Sequence, residues 1–448
     1  MLINFILFVF VIVITALTVQ INTNSISRLF IKIMSLYWLG VSCISLFNPY
    51  DLYEVSNFCY FLILGGIYSF ILGYSISYNK SIAFYKTISI GSLNFDVDLF
   101  IKRPLFRVVF ILCFAIILYL LKNQWSVLIL LGSLSNVKVD MFELLFENNS
   151  ALFFIYQVLV FPVFHISCAL LSYSIVNKRW SIELIFLLLF ILLFCLVGGK
   201  RAYFLIVFFY FFLNYLLVNN RYMKYIANVK KKISSTLIIA LFIIAFSGMT
   251  IMTALYSGSN MDKDVVLESG GDLVSQFVSY SVGPFRAFDY SLSQGYTDDV
   301  PLQLGRTSLG GLVEYYGTAI LKKFGFGVRS TREYTMERLQ GEFIPIGPDE
   351  TINYAYTSFI YFMYDLGIIG VFLISFLYGI FVKYSIYMMV KYKTISALCF
   401  VCFQFLACIM YLQSWSYISL YAQPFLVLCY LLNKYEIKRC RRRCLTIV

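Results

Sequence analysis

The sequence predicts an all-α polytopic integral membrane protein with about 11 transmembrane helices. Of its 448 residues, 60% are hydrophobic and 13% are charged, whereas soluble domains are about 45–50% apolar and about 25% charged. Apolar runs of about 20 residues, the length that crosses a bilayer, recur along most of the chain. Because the polar residues are concentrated between these runs, one helical bundle explains the length better than several soluble domains.

The candidate spans follow one another with a single long interruption. They lie at residues 2–21, 29–47, 58–77, 104–121, 150–176, 182–198, 202–218, 234–256, 357–382, 395–413 and 416–433. The apolar run at 125–134 is too short to cross and is predicted to be re-entrant or interfacial. The chain therefore divides into a first bundle of about eight helices (1–256), a polar loop (257–356), a second bundle of about three helices (357–433) and a basic tail (434–448).

The distribution of charge between alternate loops predicts the side that each loop faces. One set of loops and the C-terminal tail hold most of the 35 Lys and Arg residues, and the other set holds most of the 23 Asp and Glu residues. Because Lys and Arg accumulate in cytoplasmic loops, the tail is predicted inside, and the N-terminus and the polar loop outside. This bias accounts for the net charge of +12, so no nucleic-acid partner is predicted.

Two basic residues do not follow this distribution. Lys200 and Arg201 lie between two apolar runs and fall on the predicted outer face. A cytoplasmic turn with ordinary positive charges is the simpler explanation, but it would place the basic loops at 176–180 and 221–232 outside. A charge near lipid is costly unless it finds a partner. The pair is therefore predicted to bind an anion at the outer surface.

The polar loop is richer in Arg than in Lys. The planar guanidinium binds phosphate through two hydrogen bonds and keeps its proton, so this composition indicates a phosphate-bearing ligand. For any one Arg, an ion pair in a solvated loop is the alternative. Two segments, 272–292 and 310–327, are predicted to form amphipathic helices on the outer surface. The arginines are Arg286, Arg306, Arg329, Arg332 and Arg338.

Polar residues inside the apolar runs have two explanations each. Asp365 marks a functional site or forms a hydrogen bond to Tyr361 or Tyr364 between helices. His165, the only histidine, is predicted to be a packing residue within its span. The 11 cysteines show no second CxxC pair and no nearby histidine, so no metal site is predicted.

Three motifs in the chain share a common order and predicted side of the membrane. They are "GGKRAYFL" (198–205), which contains an Arg-x-x-x-Leu step, "VGPFRAFDYSL" (282–292) and "ETINYAYTSFIYFMYDLGIIG" (350–370), which ends in Asp-x-Gly-x-x-Gly. With the long outer loop, they resemble the Wzy-type family of bacterial O-antigen and oligosaccharide repeat-unit polymerases. As architecture, the resemblance extends over most of the chain.

The resemblance implies a GT-C-like glycosyltransferase of the bacterial inner membrane. Such an enzyme moves a growing glycan from an undecaprenyl-pyrophosphate carrier to the non-reducing end of another lipid-linked repeat unit. The resemblance implies that Arg201 contacts the donor pyrophosphate with Lys200 beside it, and that a separate chain-length regulator is a partner. It also implies further pyrophosphate or glycan contacts for Arg286, Arg306, Arg329, Arg332 and Asn353.

The reaction needs fixed cations for the leaving pyrophosphate and a base for the attacking hydroxyl. Glu314 and Glu350 are the first candidates for this base, among loop acids that include Asp289 and Asp349. Capping of the following helix is an equal explanation for Asp349 and Glu350. No set of metal ligands is apparent, so the reaction is predicted to need neither a metal nor another cofactor.

Three other functions are alternatives. Polyprenyl-phosphate-sugar transferases resemble proteins with paired acids in the first outer loop, where this chain has the more widely spaced Asp51 and Glu54. An O-antigen ligase is disfavoured because related ligases carry an essential histidine in the outer loop, and this loop has none. A lipid-linked oligosaccharide flippase or other transporter would favour internal repeats and charges deep in the bundle, and neither is visible.

Overall fold

The computed structural model is mostly α-helical, which confirms the predicted class of an all-α membrane protein. Seven helices in the described part of the chain are long and apolar enough to cross a membrane. Two shorter apolar helices, Ile182–Gly198 and Ala202–Val218, follow the same pattern. The structure describes residues 2–22, 25–48, 51–76, 95–131, 150–198, 202–219, 279–297, 301–330, 344–348, 350–352 and 356–445.

The helices differ widely in length, from one turn to almost ten. In chain order they are α1 (Leu2–Ile21), α2 (Ser25–Phe47), α3 (Asn57–Ser75), α4 (Val97–Ile101), α5 (Pro104–Leu131), α6 (Ser150–Val176), α7 (Ile182–Gly198), α8 (Ala202–Asn219), α9 (279–293), α10 (Arg306–Leu309), α11 (Gly311–Lys323), α12 (Ser358–Tyr392), α13 (Ile395–Ile409) and α14 (Ala422–Leu445). A π-helical turn, Tyr156–Val160, lies within α6. Two short strands, β1 (Ile344–Pro345) and β2 (Thr351–Ile352), pair in antiparallel orientation.

The predicted count of about 11 spans is not reproduced by the described residues. The span predicted at 234–256 lies outside them. In place of the span predicted at 416–433, the chain makes turns, and α14 begins only at Ala422 and continues into the basic tail. These turns are bound to the rest of the protein, since the indole N–H of Trp415 donates to the carbonyl oxygen of Ser308 at 2.6 Å.

Two further segments differ from the sequence-based expectation. Most of the apolar run at 125–134 prolongs α5, which ends at Leu131, instead of forming a separate re-entrant element. Of the helix predicted on the outer surface at 272–292, residues 279–292 form part of α9, but residues 281–288 are all buried; residues 272–278 lie outside the described residues. The reason is that the apolar side chains of this segment occur on every side of the helix, and such a helix is buried within the protein.

Contacts divide the chain into two compact units, each built from separate stretches of sequence. The first comprises Met1–Ser89, Gln276–Met388 and Ala407–Gln423, and the second comprises Ile90–Ser275, Met389–Leu406 and Pro424–Val448. The linear division into bundle, loop and bundle follows hydropathy, whereas these units follow contacts. In the first unit, the described part of the polar loop forms hydrogen bonds to α2, α3 and α12.

In the first unit, α3 and α12 cross at a close backbone contact. A Cβ added to Gly73 would lie 2.0 Å from the carbonyl oxygen of Phe376, and one added to Gly379 would lie 2.1 Å from that of Phe70. Small residues at a crossing allow helix backbones to approach closely, which favours association where lipid supplies no hydrophobic driving force. The two glycines therefore allow α12 to lie directly against α3. Helix α12 is also the helix that is interrupted at Leu366 and Gly367.

In the second unit, the only histidine packs between helices. His165 of α6 is fully buried, and its Nδ1 lies 2.9 Å from the hydroxyl of Tyr210. The rings of Phe403 and Phe425 lie 5.4 and 5.6 Å from the imidazole ring. These surroundings agree with the packing role predicted from the sequence.

Candidate functional site

Helix α12 is interrupted within the Asp-x-Gly-x-x-Gly motif. Leu366 (φ −139°, ψ 20°) and Gly367 (φ 63°, ψ −152°) leave the helical conformation, and helix continues on either side at 358–365 and 368–392. This combination of angles at residue 367 is accessible to glycine and strained for other residues. The interruption leaves carbonyl groups at the end of the first segment without their helical partners.

The polar loop supplies partners for these carbonyl groups. The backbone N–H of Gln303 donates to the carbonyl oxygen of Tyr364 at 2.9 Å, and that of Leu304 donates to the carbonyl oxygen of Asp365 at 3.1 Å. A buried backbone polar group that lacks a partner is costly, so these bonds fix the path of the loop across the interruption.

The side chain of Asp365 continues the same connection. Its Oδ1 accepts the backbone N–H of Thr307 at 2.8 Å and its Oδ2 accepts that of Ser308 at 2.7 Å. The carboxylate is fully buried and caps the one-turn helix α10. Of the two explanations offered for this acid, the structure therefore shows a hydrogen-bonding role, with backbone N–H groups as partners in place of Tyr361 or Tyr364.

Three of the predicted site residues meet beside α10. Nη2 of Arg306 lies 2.9 Å from Oε1 of Glu314 and 3.1 Å from the carbonyl oxygen of Arg329, and it donates to both. The Glu314 side chain is 9% exposed, whereas that of Arg306 is 42% exposed. The first candidate for the base thus faces a guanidinium that competes for its acceptor sites.

Arg286 is buried in α9, and its side chain acts as a cross-link inside the protein. All five guanidinium N–H donors have neutral acceptors, namely the carbonyl oxygens of Tyr53, Ser45 and Val282, the Ser45 hydroxyl and the Asn48 side-chain oxygen, at 2.9–3.2 Å. Burial lowers the pKa of Arg286 from its usual value, but an arginine at such a site keeps its charge. The structure therefore leaves this guanidinium no donor for a phosphate oxygen.

Glu350, the other candidate for the base, belongs to the β1–β2 hairpin. Its Oε2 accepts the hydroxyl hydrogen of Ser279 at 2.6 Å, and its carbonyl oxygen accepts the N–H of Ile346 at 2.9 Å. The structure therefore does not bring Glu350 together with Glu314 through any contact of the described residues. The other predicted site residues lie outside the described residues; they are Lys200, Arg201, Arg332 and Asn353.

A cavity of about 580 Å³ lies in the first unit beside the interruption of α12. Small-molecule sites typically have volumes of about 300–1,000 Å³. Among the described residues, its wall combines one carboxylate, three hydroxyl groups and a larger apolar part. The lining residues are Ser56, Phe58, Asp289, Leu292, Ser293, Thr297, Leu302, Met363, Gly367 and Ile368.

Asp289 supplies the carboxylate of this cavity. Its Oδ2 accepts the backbone N–H of Ser56 at 2.8 Å, and its Oδ1 accepts the hydroxyl hydrogen of the same serine. The Ser56 hydroxyl in turn accepts the N–H of Cys59 and caps α3. In the sequence, Asp289 is only one of several acids of the polar loop. Asp289 follows Arg286 by three residues and so lies on the same face of α9. This spacing is the feature of the sequence that could have distinguished Asp289 from the other loop acids.

The fold and the cavity define a polytopic α-helical membrane protein with a mixed polar and apolar site in its first unit. Within the described ranges, no group of three or more His, Cys, Asp or Glu side chains is arranged to hold a metal ion. Comparison of the chain with protein-family models, with curated proteins and with solved structures gives no match. The functional assignment therefore rests on the motifs and on the chemistry of the site.

Proposed function

We propose that the protein polymerises undecaprenyl-pyrophosphate-linked oligosaccharide repeat units into O-antigen or a related surface polysaccharide. In this proposal it is a GT-C-like enzyme of the bacterial inner membrane, with the polar loop on the periplasmic side. A growing glycan leaves its pyrophosphate carrier and is joined to the end of a second lipid-linked unit. A chain-length regulator is the proposed protein partner.

The cavity beside the interrupted helix carries this proposal. Its carboxylate and hydroxyl groups, from Asp289, Ser56 and Thr297, suit the hydroxyl groups of a sugar, and its apolar wall suits the C–H faces of sugar rings. Phe58 and Ile368 are 47% and 45% exposed, so apolar surface continues outward from the cavity. Such a surface is compatible with a ligand whose carrier stays in the bilayer.

Exposed cations close in sequence to this region support the second requirement of the reaction, a site for pyrophosphate. Arg306 keeps 42% of its side chain exposed, and Lys322, Lys323 and Arg329 are exposed as well. Cations fixed near a leaving group stabilise the negative charge that develops on it. Arg201 and Lys200, which lie outside the described residues, remain the motif's own candidates for contact with the pyrophosphate.

Deletion of the gene in the source bacterium, followed by electrophoresis of surface polysaccharide, tests the function. A polymerase defect leaves single repeat units on the surface lipid, and complementation restores the ladder of long chains. An absence of any attached unit would instead indicate a ligase or a flippase. Complementation with Arg201→Ala is expected to give single units, and Lys200→Ala a smaller loss; a full ladder with Arg201→Ala would contradict the pyrophosphate role.

Reconstitution tests the chemistry directly. The purified protein in lipid nanodiscs is expected to join lipid-linked repeat units into longer chains and to release undecaprenyl pyrophosphate. The proposed reaction needs no metal, so the rate is expected to be unchanged in EDTA. A rate that falls in EDTA and returns with magnesium would contradict metal independence without affecting the assignment as a polymerase.

A further inference from the structure

The described residues of the cavity wall suit an uncharged, hydroxyl-bearing group better than a phosphate. The described residues that line it include the carboxylate of Asp289 and no Lys or Arg. A carboxylate repels an anion at close range, and it accepts hydrogen bonds from hydroxyl groups. These described lining residues therefore suit a sugar hydroxyl better than the pyrophosphate of a lipid-linked glycan.

The carboxylate of Asp289 retains capacity to accept further hydrogen bonds. An ionised carboxylate has about four lone-pair positions. Ser56 occupies one position on each oxygen, through its N–H and its hydroxyl group. No described Lys or Arg forms an ion pair with Asp289. An acceptor hydroxyl in the cavity can thus donate to a carboxylate whose position Ser56 has already fixed.

Three other described acids of this unit are committed to different partners. Glu314 is paired with Arg306 at 2.9 Å, and Glu350 accepts the Ser279 hydroxyl. Asp365 is fully buried and accepts two backbone N–H groups. Among these carboxylates, Asp289 alone lines the cavity.

We propose that Asp289 is the general base that activates the acceptor hydroxyl, an inference that rests on the proposed polymerase function. The hydroxyl donates its proton to an Asp289 oxygen as its own oxygen bonds to the anomeric carbon of the donor glycan. The bond between that carbon and the pyrophosphate oxygen breaks, and the electron pair leaves with the pyrophosphate. Asp289 then returns the proton to water, which restores the carboxylate.

The first test compares initial rates of chain extension in nanodiscs for the wild type and Asp289→Asn. Asparagine has nearly the same shape and can still accept the Ser56 N–H, but it cannot take the proton. The expected loss is about 10²–10⁴-fold, the usual contribution of a general base. Asp289→Glu keeps a carboxylate and is expected to retain part of the rate. Asp98→Asn, at an exposed carboxylate of α4, is the matched control and is expected to keep the wild-type rate.

A structural role for Asp289, the bracing of α3 through Ser56, predicts a different result. In that case Asp289→Asn would lower the thermal unfolding midpoint, and Asp289→Glu would not restore the rate. The base role predicts a loss of rate larger than the unfolded fraction at the assay temperature can explain, and partial recovery of the rate with glutamate. A midpoint that falls in proportion to the rate would therefore overturn the proposal.

A second pair of variants tests the cavity without altering the carboxylate. Ser293 and Gln294 are both exposed neighbours at the end of α9, and only Ser293 lines the cavity. Ser293→Trp is expected to fill the cavity and abolish chain extension, whereas Gln294→Trp is expected to have little effect. Equal rates for the two tryptophan variants would overturn the proposal even if Asp289→Asn failed to fold.

The two levels of the proposal fail in different ways. A folded wild type that joins no lipid-linked units overturns the polymerase function, and the role of Asp289 with it. A wild type that extends chains beside an equally active Asp289→Asn variant overturns the role of Asp289 alone.

Discussion

The carboxylate of Asp365 accepts the backbone N–H of Ser308 at 2.7 Å, and so joins the polar loop to the interrupted helix α12. The second oxygen accepts the N–H of Thr307, which makes the connection bidentate. Hydrogen bonds to an ionised acceptor are roughly twice as strong as those between neutral groups. The motif residue Asp365 thus holds the segment that leads into α11, with its exposed cations, against the helix beside the cavity.

Replacement of Asp365 by asparagine is expected to destabilise the protein. The amide presents one oxygen and one NH₂ group to two backbone N–H groups, so one buried donor loses its acceptor. The expected cost is about 1–3 kcal/mol in the free energy of unfolding. Thermal or denaturant unfolding in detergent measures it. Asp51→Asn, at an exposed aspartate, is the matched control, and an equal effect of the two substitutions would contradict the capping role.

Because α12 is interrupted at Gly367, a single methyl group added there is expected to lower the free energy of unfolding. A Cβ there would meet no atom within 4 Å, so steric crowding from neighbours does not contribute. The positive φ of 63° alone makes Gly367→Ala unfavourable, by about 1–3 kcal/mol. Gly40 of α2 also has no atom within 4 Å of an added Cβ, but it lies within a helix.

The matched pair Gly367→Ala and Gly40→Ala therefore separates backbone strain from the mere addition of a methyl group. Gly40→Ala is expected to be neutral or stabilising, because alanine favours helix over glycine by about 1 kcal/mol. Unfolding in detergent checks both variants. A stabilised Gly367→Ala protein would show that the interruption is absent in the membrane.

Replacement of Arg286 by lysine is expected to lower the stability of the protein. Lysine keeps the positive charge but offers three donors, so acceptors now satisfied by the guanidinium fork would lose their partners. Arg286→Lys is expected to lower the free energy of unfolding by about 1–3 kcal/mol. Arg107→Lys, which alters an exposed ion pair of 3.8 Å, is expected to change it by about 1 kcal/mol or less. Similar losses for both would contradict the internal role of Arg286.

The ion pair between Arg306 and Glu314 predicts a separation of stability from activity. The Arg306 side chain is 42% exposed and that of Glu314 is 9% exposed, so solvent reaches one side of the pair, and ion pairs open to solvent contribute about 0–1 kcal/mol. Glu314→Gln is therefore expected to leave the unfolding midpoint nearly unchanged, so its rate of chain extension reports function directly. If Asp289 is the base, the rate of Glu314→Gln stays within a few-fold of wild type. A loss of activity with an unchanged midpoint would indicate that Glu314 is the base instead.

Hydropathy predicted the class of this protein and the positions of most apolar helices because a span must be long and apolar whatever its neighbours are. It did not separate α9 from a surface helix, since the 282–292 segment is short and contains Arg286 and Asp289. Four of the five acceptors that satisfy this arginine belong to Ser45, Asn48 and Tyr53, more than 230 positions earlier in the chain. No local pattern reveals such a partnership.

Composition and apolar runs are enough to identify a helical membrane protein, and the motifs indicate which segments carry its polar chemistry. The partners of each polar residue are known only from the folded chain. Asp365 and Arg286 are committed to backbone and neutral partners, Glu314 to a cation, and Asp289 to the wall of a cavity. The physical reason is that hydropathy is a local sum over neighbouring residues, whereas the role of a buried charge depends on which distant groups the fold brings within hydrogen-bond distance of it.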